Sequence, residues 1–303
     1  MGRSRRSPGS TGAGSSAEEV TGHIPVLLQE TVEFLVEGEP EVLVDGTAGG
    51  GGHLAALLER LPQTTRVLAL DRDPAALERV AARVGRPANL ELAHSPFDQV
   101  DKVLQDYGIE LADAALFDLG MSSDQLGDSS RGFSYRESGP LDMRFDSTAG
   151  TTAEELVNGL EQNELADLIY NLGGEHRSRR IARRIVQRRP ISGTNELVAA
   201  ISSAVRGYRP GVLSRVFQAL RIAVNDELGQ LDRLLAGMDR WLAPEGRVAF
   251  ITFHSLEDRR VKRFLRDTPG FTPGEPEWTA ASREERRRNV RSRSAKLRRG
   301  VRT

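Results

Sequence analysis

Three carboxylates close three short apolar runs. Asp45 follows Val42-Leu43-Val44, Asp71 follows Val67-Leu68-Ala69-Leu70, and Asp118 follows Ala114-Ala115-Leu116-Phe117. A glycine run, Gly49 to Gly52, stands after the first and leads into His53. In a parallel sheet the carboxyl ends of the strands share one edge, and ligands bind there. Glycines leave no side chain between main chain and ligand, so a cofactor can lie directly on such a turn. A carboxylate about 20 residues beyond the loop is where ribose hydroxyls are met in nucleotide-binding sheets, and Asp71 stands there. The plainer readings are a simple turn for the glycines and a cap or a partner of Arg72 for Asp71.

Adenosine is common to dinucleotides and S-adenosylmethionine, so Asp71 does not choose between them. A dinucleotide calls for a G-x-G-x-x-G turn; after Gly50 and Gly52 the third position is Ala55, which weakens the dehydrogenase reading. A sulfonium cofactor carries positive charge beside a carboxylate, a mixture that acidic strand ends and backbone donors suit. Beyond Asp118, Leu119-Gly120-Met121-Ser122-Ser123 adds two hydroxyls. Asp118, assisted by Ser122 or Ser123, could accept hydrogen bonds from an exocyclic amine and turn its lone pair toward a methyl group. Alignment for in-line transfer then meets most of the barrier, with no metal or covalent nucleophile required.

The elements that would position these residues alternate. Strands are predicted at Val42–Asp45, Arg66–Asp71, Asn89–Ala93, Ala114–Asp118 and Gly246–Phe253, with helices between them, which implies a parallel α/β sheet covered on both faces. A short amphipathic helix is predicted over Val26–Leu35. Asp73 caps the helix that Pro74 opens. Gly120 to Asp146 reads as a long loop, of the kind that is usually functional or disordered. Thr152 and Glu155 form a capping-box pair, a basic helix runs through Arg177 to Arg189 and stops at Pro190, and Thr194 caps the next helix. Phe217, Leu220, Val224, Leu228, Leu231, Leu235 and Met238 step by three and four, predicting one long helix with Gln218, Arg221 and Asn225 beside the stripe. Ser255 and Asp258 make a second capping-box-like pair. The organisation expected is a basic tail at 1–22, a sheet domain at 23–126 and 214–303, and an inserted helical substrate domain at 127–213.

Composition narrows the class. The 303 residues are 38% hydrophobic with a net charge of −1. No run of ~18 apolar residues predicts a membrane span, and the Ser/Gly/Arg-rich start lacks the apolar core of a secretory signal, so a cytoplasmic location is expected. Cysteine is absent, which excludes disulfides, thiolate nucleophiles and cysteine-ligated metals. His23, His53, His94, His176 and His254 are not spaced as metal ligands, and no metal site is expected. Positive charge is nearly all arginine and collects in Arg177–Arg189 and Arg283–Arg302, the footprint of a phosphate-backbone partner or, alternatively, of solvated helix faces and a frayed end.

At this point the chain resembles a known family, the bacterial 16S rRNA cytosine-N4-methyltransferases. The blocks that carry the resemblance run from His23 to Arg298. They include Asp45-Gly46-Thr47 through Gly51-Gly52-His53, Asp71-Arg72-Asp73-Pro74, Asp118-Leu119-Gly120-Met121-Ser122-Ser123 with Gln125-Leu126, and Arg131-Gly132-Phe133-Ser134. Further blocks are Gly139 to Arg144, Phe217 to Ile222, Phe253-His254-Ser255-Leu256-Glu257-Asp258 and Arg291 to Arg298. The chain departs from the pattern at Val212-Leu213-Ser214-Arg215-Val216, where only the arginine of a Pro-Ala-Thr-Arg-Thr segment is kept, and at Asp124, where proline is usual. The resemblance implies a Rossmann-like class I methyltransferase fold with an inserted helical domain. It implies S-adenosylmethionine as cofactor and N4 of one cytosine in the decoding region of 16S rRNA, in the small ribosomal subunit, as target. Its cofactor positions fall on Gly51, Gly52, His53, Asp71, Phe97, Asp118 and Gln125.

For the RNA, Arg131, Phe133, Tyr135, Arg136 and Arg144 interleave cations and aromatics in the long loop, as phosphate pairing and base stacking require. Arg180 and Arg184 on the basic helix are the second candidate grip. Three alternatives stand beside this reading: an amino-methyltransferase of DNA or other RNA, a catalytically silent RNA-binding or ribosome-assembly module, and a dehydrogenase. The oligomeric state, a homodimer included, is left open.

Overall fold

A computed structural model describes residues 25–303; the basic tail expected at 1–22, and His23, lie outside them. The first half follows the predicted alternation: α1 (Leu28–Val36), β1 (Val42–Asp45), α2 (Gly52–Arg60), β2 (Arg66–Asp71), α3 (Pro74–Val84), β3 (Leu90–His94), α4 (Val100–Asp106) and β4 (Ala112–Asp118). Residues alternate between the faces of the sheet. Val44, Leu68, Leu70, Ala115 and Phe117 join the core on one face, while Leu43, Val67, Ala69, Ala114 and Leu116 join the core on the other. Burial on both faces explains why these strands read as nearly unbroken apolar runs.

The expected long loop contains a short helix, α5 (Ser123–Gly127), before the helical unit of α6 (Ala153–Gly159), α7 (Gln162–Gly173), α8 (Ser178–Val186), α9 (Thr194–Val205) and α10 (Pro210–Asn225). Thr152 and Glu155 close the capping box of α6. The N-cap of α9 is Gly193 rather than Thr194. The Thr194 hydroxyl instead donates to Glu137 O and accepts from Gly139 N–H, pinning the long loop to the helical unit.

The chain then returns through α11 (Glu227–Trp241), β5 (Leu242–Thr252), α12 (Ser255–Asp267), β6 (Phe271–Pro273), β7 (Thr279–Ala280), α13 (Arg283–Arg288) and β8 (Lys296–Arg302). The single long helix predicted from Phe217 to Met238 is two helices. Asp226 is left-handed, with φ 48°, and turns the chain between α10 and α11. The apolar stripe runs through the bend because each half meets a different core. Val212, Leu213, Val216, Phe217 and Leu220 pack with the inserted helices, whereas Leu231, Leu235 and Met238 pack on the sheet. The helical unit therefore extends past the expected limit at 213 to Asp226.

The strand order is β3-β2-β1-β4-β5-β8-β6, with β7 also pairing β8. β1 to β5 are parallel, and β8 lies antiparallel between β5 and β6. β8 is the main correction to the reading of Arg283–Arg302 as a basic footprint. Arg298 is 4% exposed, and its Nε donates to Asp258 Oδ1 at 2.7 Å while Lys296 Nζ donates to Asp258 Oδ2 at 2.7 Å. One carboxylate on α12 thus makes a cationic strand compatible with a place inside the sheet. The capping box of α12 is His254 with Glu257, one residue before the predicted Ser255, which leaves Asp258 for this task.

Candidate active site

β1, β2 and β4 end side by side, and the glycine loop crosses above them. Asp71 organises the loop: Oδ2 accepts Gly49 N–H at 2.8 Å and Oδ1 accepts Asp73 N–H at 2.8 Å. Thr47 braces the other side, its Oγ1 accepting Asp118 N–H at 2.6 Å. Gly49, Gly50, Gly52 and His53 line the cleft over this edge. Gly51 does not. It is the left-handed N-cap of α2 with φ 72°, its N–H donates to Ala48 O at 2.8 Å, and a Cβ there would meet Val80 and Arg83 of α3 at 3.4 Å. Its conformation turns the chain into α2. At Gly52 a Cβ would stand 2.3 Å from Pro25 Cγ, so bareness there lets the N-terminal segment approach.

Asp118 and Phe97 face the same cleft as Asp71. The Asp118 side chain is 21% exposed, and its Oδ1 is buried without a hydrogen-bond partner. Burial pushes its pKa up to about 7, against the pull of the Arg291 guanidinium and with a push from Glu257. Asp45, 1% exposed, is likewise raised to about 7 by burial; the Thr47 N–H lowers it, and the charges of Asp118 and Asp71 raise it. Burial also raises Asp71, against its N–H donors. Phe97 packs edge-on to Phe117 at 6.1 Å. A carboxylate beside an aromatic face fits a nucleoside, and an orphaned carboxylate oxygen among acidic neighbours fits a positively charged centre. S-adenosylmethionine combines the two.

Ser122 and Gln125 reach the cleft wall, but their polar atoms are engaged with each other. Ser122 Oγ accepts Gln125 N–H at 3.1 Å and Gln125 Oε1 accepts Ser122 N–H at 3.0 Å, the capping box of α5. Gln125 Nε2 donates to Asp73 Oδ2 at 2.9 Å. Both residues line the cleft and also hold α5 on the Asp73 turn. Asp73 caps α3 as predicted, accepting Ala75 N–H at 3.1 Å.

Three of the expected RNA contacts are committed inside the protein. Arg131 pairs with Asp73 at 3.3 Å and donates to Arg144 O and Phe145 O at 2.9 and 2.7 Å. Phe133 is 4% exposed and stacks on Phe145 at 5.5 Å. Arg144 grips Asp142 through Nε and Nη2 at 2.9 and 2.8 Å. Arg180 and Arg184 are different. α8 buries Ile181, Ala182 and Ile185 and exposes Arg179, Arg180, Arg183 and Arg184, and Arg180, Arg183 and Arg184 line a recess beside Ala204.

The far wall of the cleft was not legible in the spacing. Arg72, Phe145, Glu227, Glu257 and Arg291 complete it. Arg291 Nη2 donates to Met121 O, and its guanidinium lies 5.6 Å from the Phe253 ring. Arg72, Glu257 and Arg291 fall within the sequence blocks quoted above, the one signal that could have found them. Among the described residues, Glu227, His254 and Glu257 bring ligand-type atoms within 4.8 Å of one another. Arg221 holds Glu227 through Nε and Nη2 at 2.8 and 2.9 Å, and Glu257 Oε2 accepts the Phe253 and His254 N–H groups at 2.8 and 3.2 Å.

A parallel sheet in the order 3-2-1-4-5 with a reversed strand beside β5, a glycine loop over β1 and acidic strand ends define the architecture of a class I methyltransferase. Comparison with known sequences agrees. The model of a family described as the MraW methylase family matches residues 20–302, and the chain belongs to that family. A relative from Rhodospirillum centenum is 49% identical over 257 residues, covering 83% of this chain and 77% of the relative. One from Methylobacterium sp. (strain 4-46) is 45% identical over 313 residues, covering 93% and 91%. One from Deinococcus radiodurans is 46% identical over 285 residues, covering 92% and 89%. All three are called ribosomal RNA small subunit methyltransferase H.

Proposed function

We propose that this chain transfers a methyl group from S-adenosylmethionine to the N4 amine of one cytosine in the decoding region of 16S rRNA, in the small ribosomal subunit. The observation that carries the reading is the Asp118 carboxylate in the lining of the cleft above the glycine loop, its Oδ1 buried without a partner. The cofactor supplies an electrophilic methyl group on a sulfonium. Asp71 and Phe97 hold its nucleoside, and Gly49 and Gly50 let the backbone approach it. Asp118 accepts an N–H of the target amine and turns the nitrogen lone pair toward the methyl group. The amine is conjugated to its ring and weakly nucleophilic, so alignment in a site closed to water provides most of the acceleration. The cytosine leaves its stack to enter the cleft, and the exposed arginines of α8 hold the surrounding phosphates.

The test is methylation of small subunits from a strain lacking the protein, followed by digestion and location of the modified base. N4-methylcytosine at one decoding-region position is expected with the wild type. Asp118→Ala should stay folded and give none. A methyl group on another base, or wild-type turnover by that variant, overturns the reading.

A further inference from the structure

His53 is buried, at 6% exposure, and sits between two oxygen atoms of different character. Its Nε2 lies 3.0 Å from the Val26 carbonyl oxygen, and its Nδ1 lies 3.6 Å from Asp118 Oδ2. A carbonyl oxygen only accepts hydrogen bonds, so Nε2 must carry the ring proton. The other nitrogen then presents a lone pair to Asp118. Burial lowers the pKa of His53 to about 4, with the Val26 carbonyl and Glu285 opposing, so the ring is neutral at working pH. A lone pair facing a carboxylate repels it, whereas a lone pair facing a carboxylic acid accepts a hydrogen bond from its O–H. The geometry therefore favours the acid form of Asp118.

We propose that Asp118 takes the proton released by the target amine, and that His53 is the positioning residue that holds the resulting acid in place. The base as proton donor rests on the function proposed above; the Asp118–His53 pairing does not. The step balances. The N4 lone pair forms the new N–C bond as the S–C bond breaks, and its electron pair stays on sulfur, which becomes a neutral thioether. The nitrogen, now cationic with two hydrogens and a methyl group, gives one proton to Asp118 and becomes neutral N4-methylcytosine. A sulfonium and a carboxylate before the step become a thioether and an acid after it, so the net charge of the site is unchanged. The groups that face Asp118 support this timing. Asp45 and Glu257 disfavour its anion, and Arg291 favours it. While the sulfonium is present the anion is favoured, and its loss leaves the acid favoured.

Two measurements test the pairing. In protein with nitrogen-15 histidine, with the His53 signals assigned by their loss in His53→Gln, Nε2 should be protonated. The Nδ1 resonance should then move with one ionisation near pH 7 and be flat in Asp118→Asn. A protonated Nδ1, or no movement between pH 5 and 9 in the wild type, overturns the proposal. The second measurement is single-turnover methylation against pH, with cofactor binding checked by calorimetry. The Asn amide oxygen reaches the place of Nδ1, and the Gln side chain reaches the place of Nε2. His53→Asn should keep the acidic limb of the wild type, and His53→Gln should move it about one pH unit lower, the effect of one lost hydrogen bond to the acid. If His53 only anchors Val26, the two variants behave the other way round or alike, which overturns the proposal. Absence of N4-methylcytosine with the wild type overturns the function instead, and the nitrogen resonances still decide the pairing.

Discussion

Asn225 should be one of the most sensitive polar positions in the protein. It is the last residue of α10, 1% exposed. Its Oδ1 accepts Phe145 N–H at 2.8 Å, and its Nδ2 donates to Met143 O and Arg221 O at 2.7 and 2.9 Å. Its own carbonyl accepts from Arg72 Nη1 and Gln230 Nε2, both at 2.8 Å. One side chain thus joins the long loop to the bend at Asp226, where the helical unit meets the sheet. Asn225→Ala deprives the Phe145 N–H and the Met143 carbonyl of this buried partner. Each such loss costs about 1–3 kcal/mol, so a destabilisation of about 2–6 kcal/mol is expected, nearer the low end if water enters. Urea unfolding reads this as a lower midpoint at unchanged slope. Cofactor affinity should fall as well, because Phe145 and Arg72 line the cleft. Asn225→Asp supplies the control. It keeps an acceptor for Phe145 but sets a carboxylate oxygen against two carbonyls. Its folded-state pKa is then raised, and its stability, present at low pH, is lost as pH rises through that value. A loss within about 0.5 kcal/mol for Asn225→Ala, the range of ordinary surface changes, would refute this account of the network.

The remaining predictions separate buried from exposed features. Phe133→Ala should cost about 3–5 kcal/mol in urea unfolding while leaving RNA affinity per folded molecule unchanged; lost binding at full stability would put the ring back in the RNA interface. The double variant Arg180→Glu, Arg184→Glu should weaken binding to small subunits and lower the salt slope of log affinity by about one to two, with stability unchanged. Equal slopes for variant and wild type would remove α8 from the interface. Asp45 is protonated more tightly in the folded state, so its contribution is full below the unfolded value of about 4 and is lost as pH rises to about 7. Asp45→Asn should therefore flatten the dependence of Tm on pH in this window without cofactor, and should gain on the wild type at pH 8. A parallel pair of curves would count against the raised pKa.

What could be read from the residues was local. Apolar runs ending at Asp45, Asp71 and Asp118 identify strands and the edge they share, because alternation and strand ends depend on near neighbours. Asp73-Pro74 and Thr152 with Glu155 identify helix starts for the same reason. The errors also follow from locality. His254 takes the cap predicted for Ser255 because its imidazole Nδ1 is an acceptor too. The stripe from Phe217 to Met238 is continuous although two cores share it. Arg131 and Arg180 are alike as residues, yet Asp73, far off in the chain, claims the first and nothing buries the second. Four cations in Lys296–Arg302 read as a tail until Asp258 places them in a strand. Sequence by itself determined the periodicity, the caps of α3 and α6, the turn and the strand-end acids, which are energies of adjacent residues. Tertiary structure decided which charges are paired, which glycines face the cleft and what His53 presents to Asp118, because burial and ion pairing depend on groups that only the folded chain brings within a few ångströms.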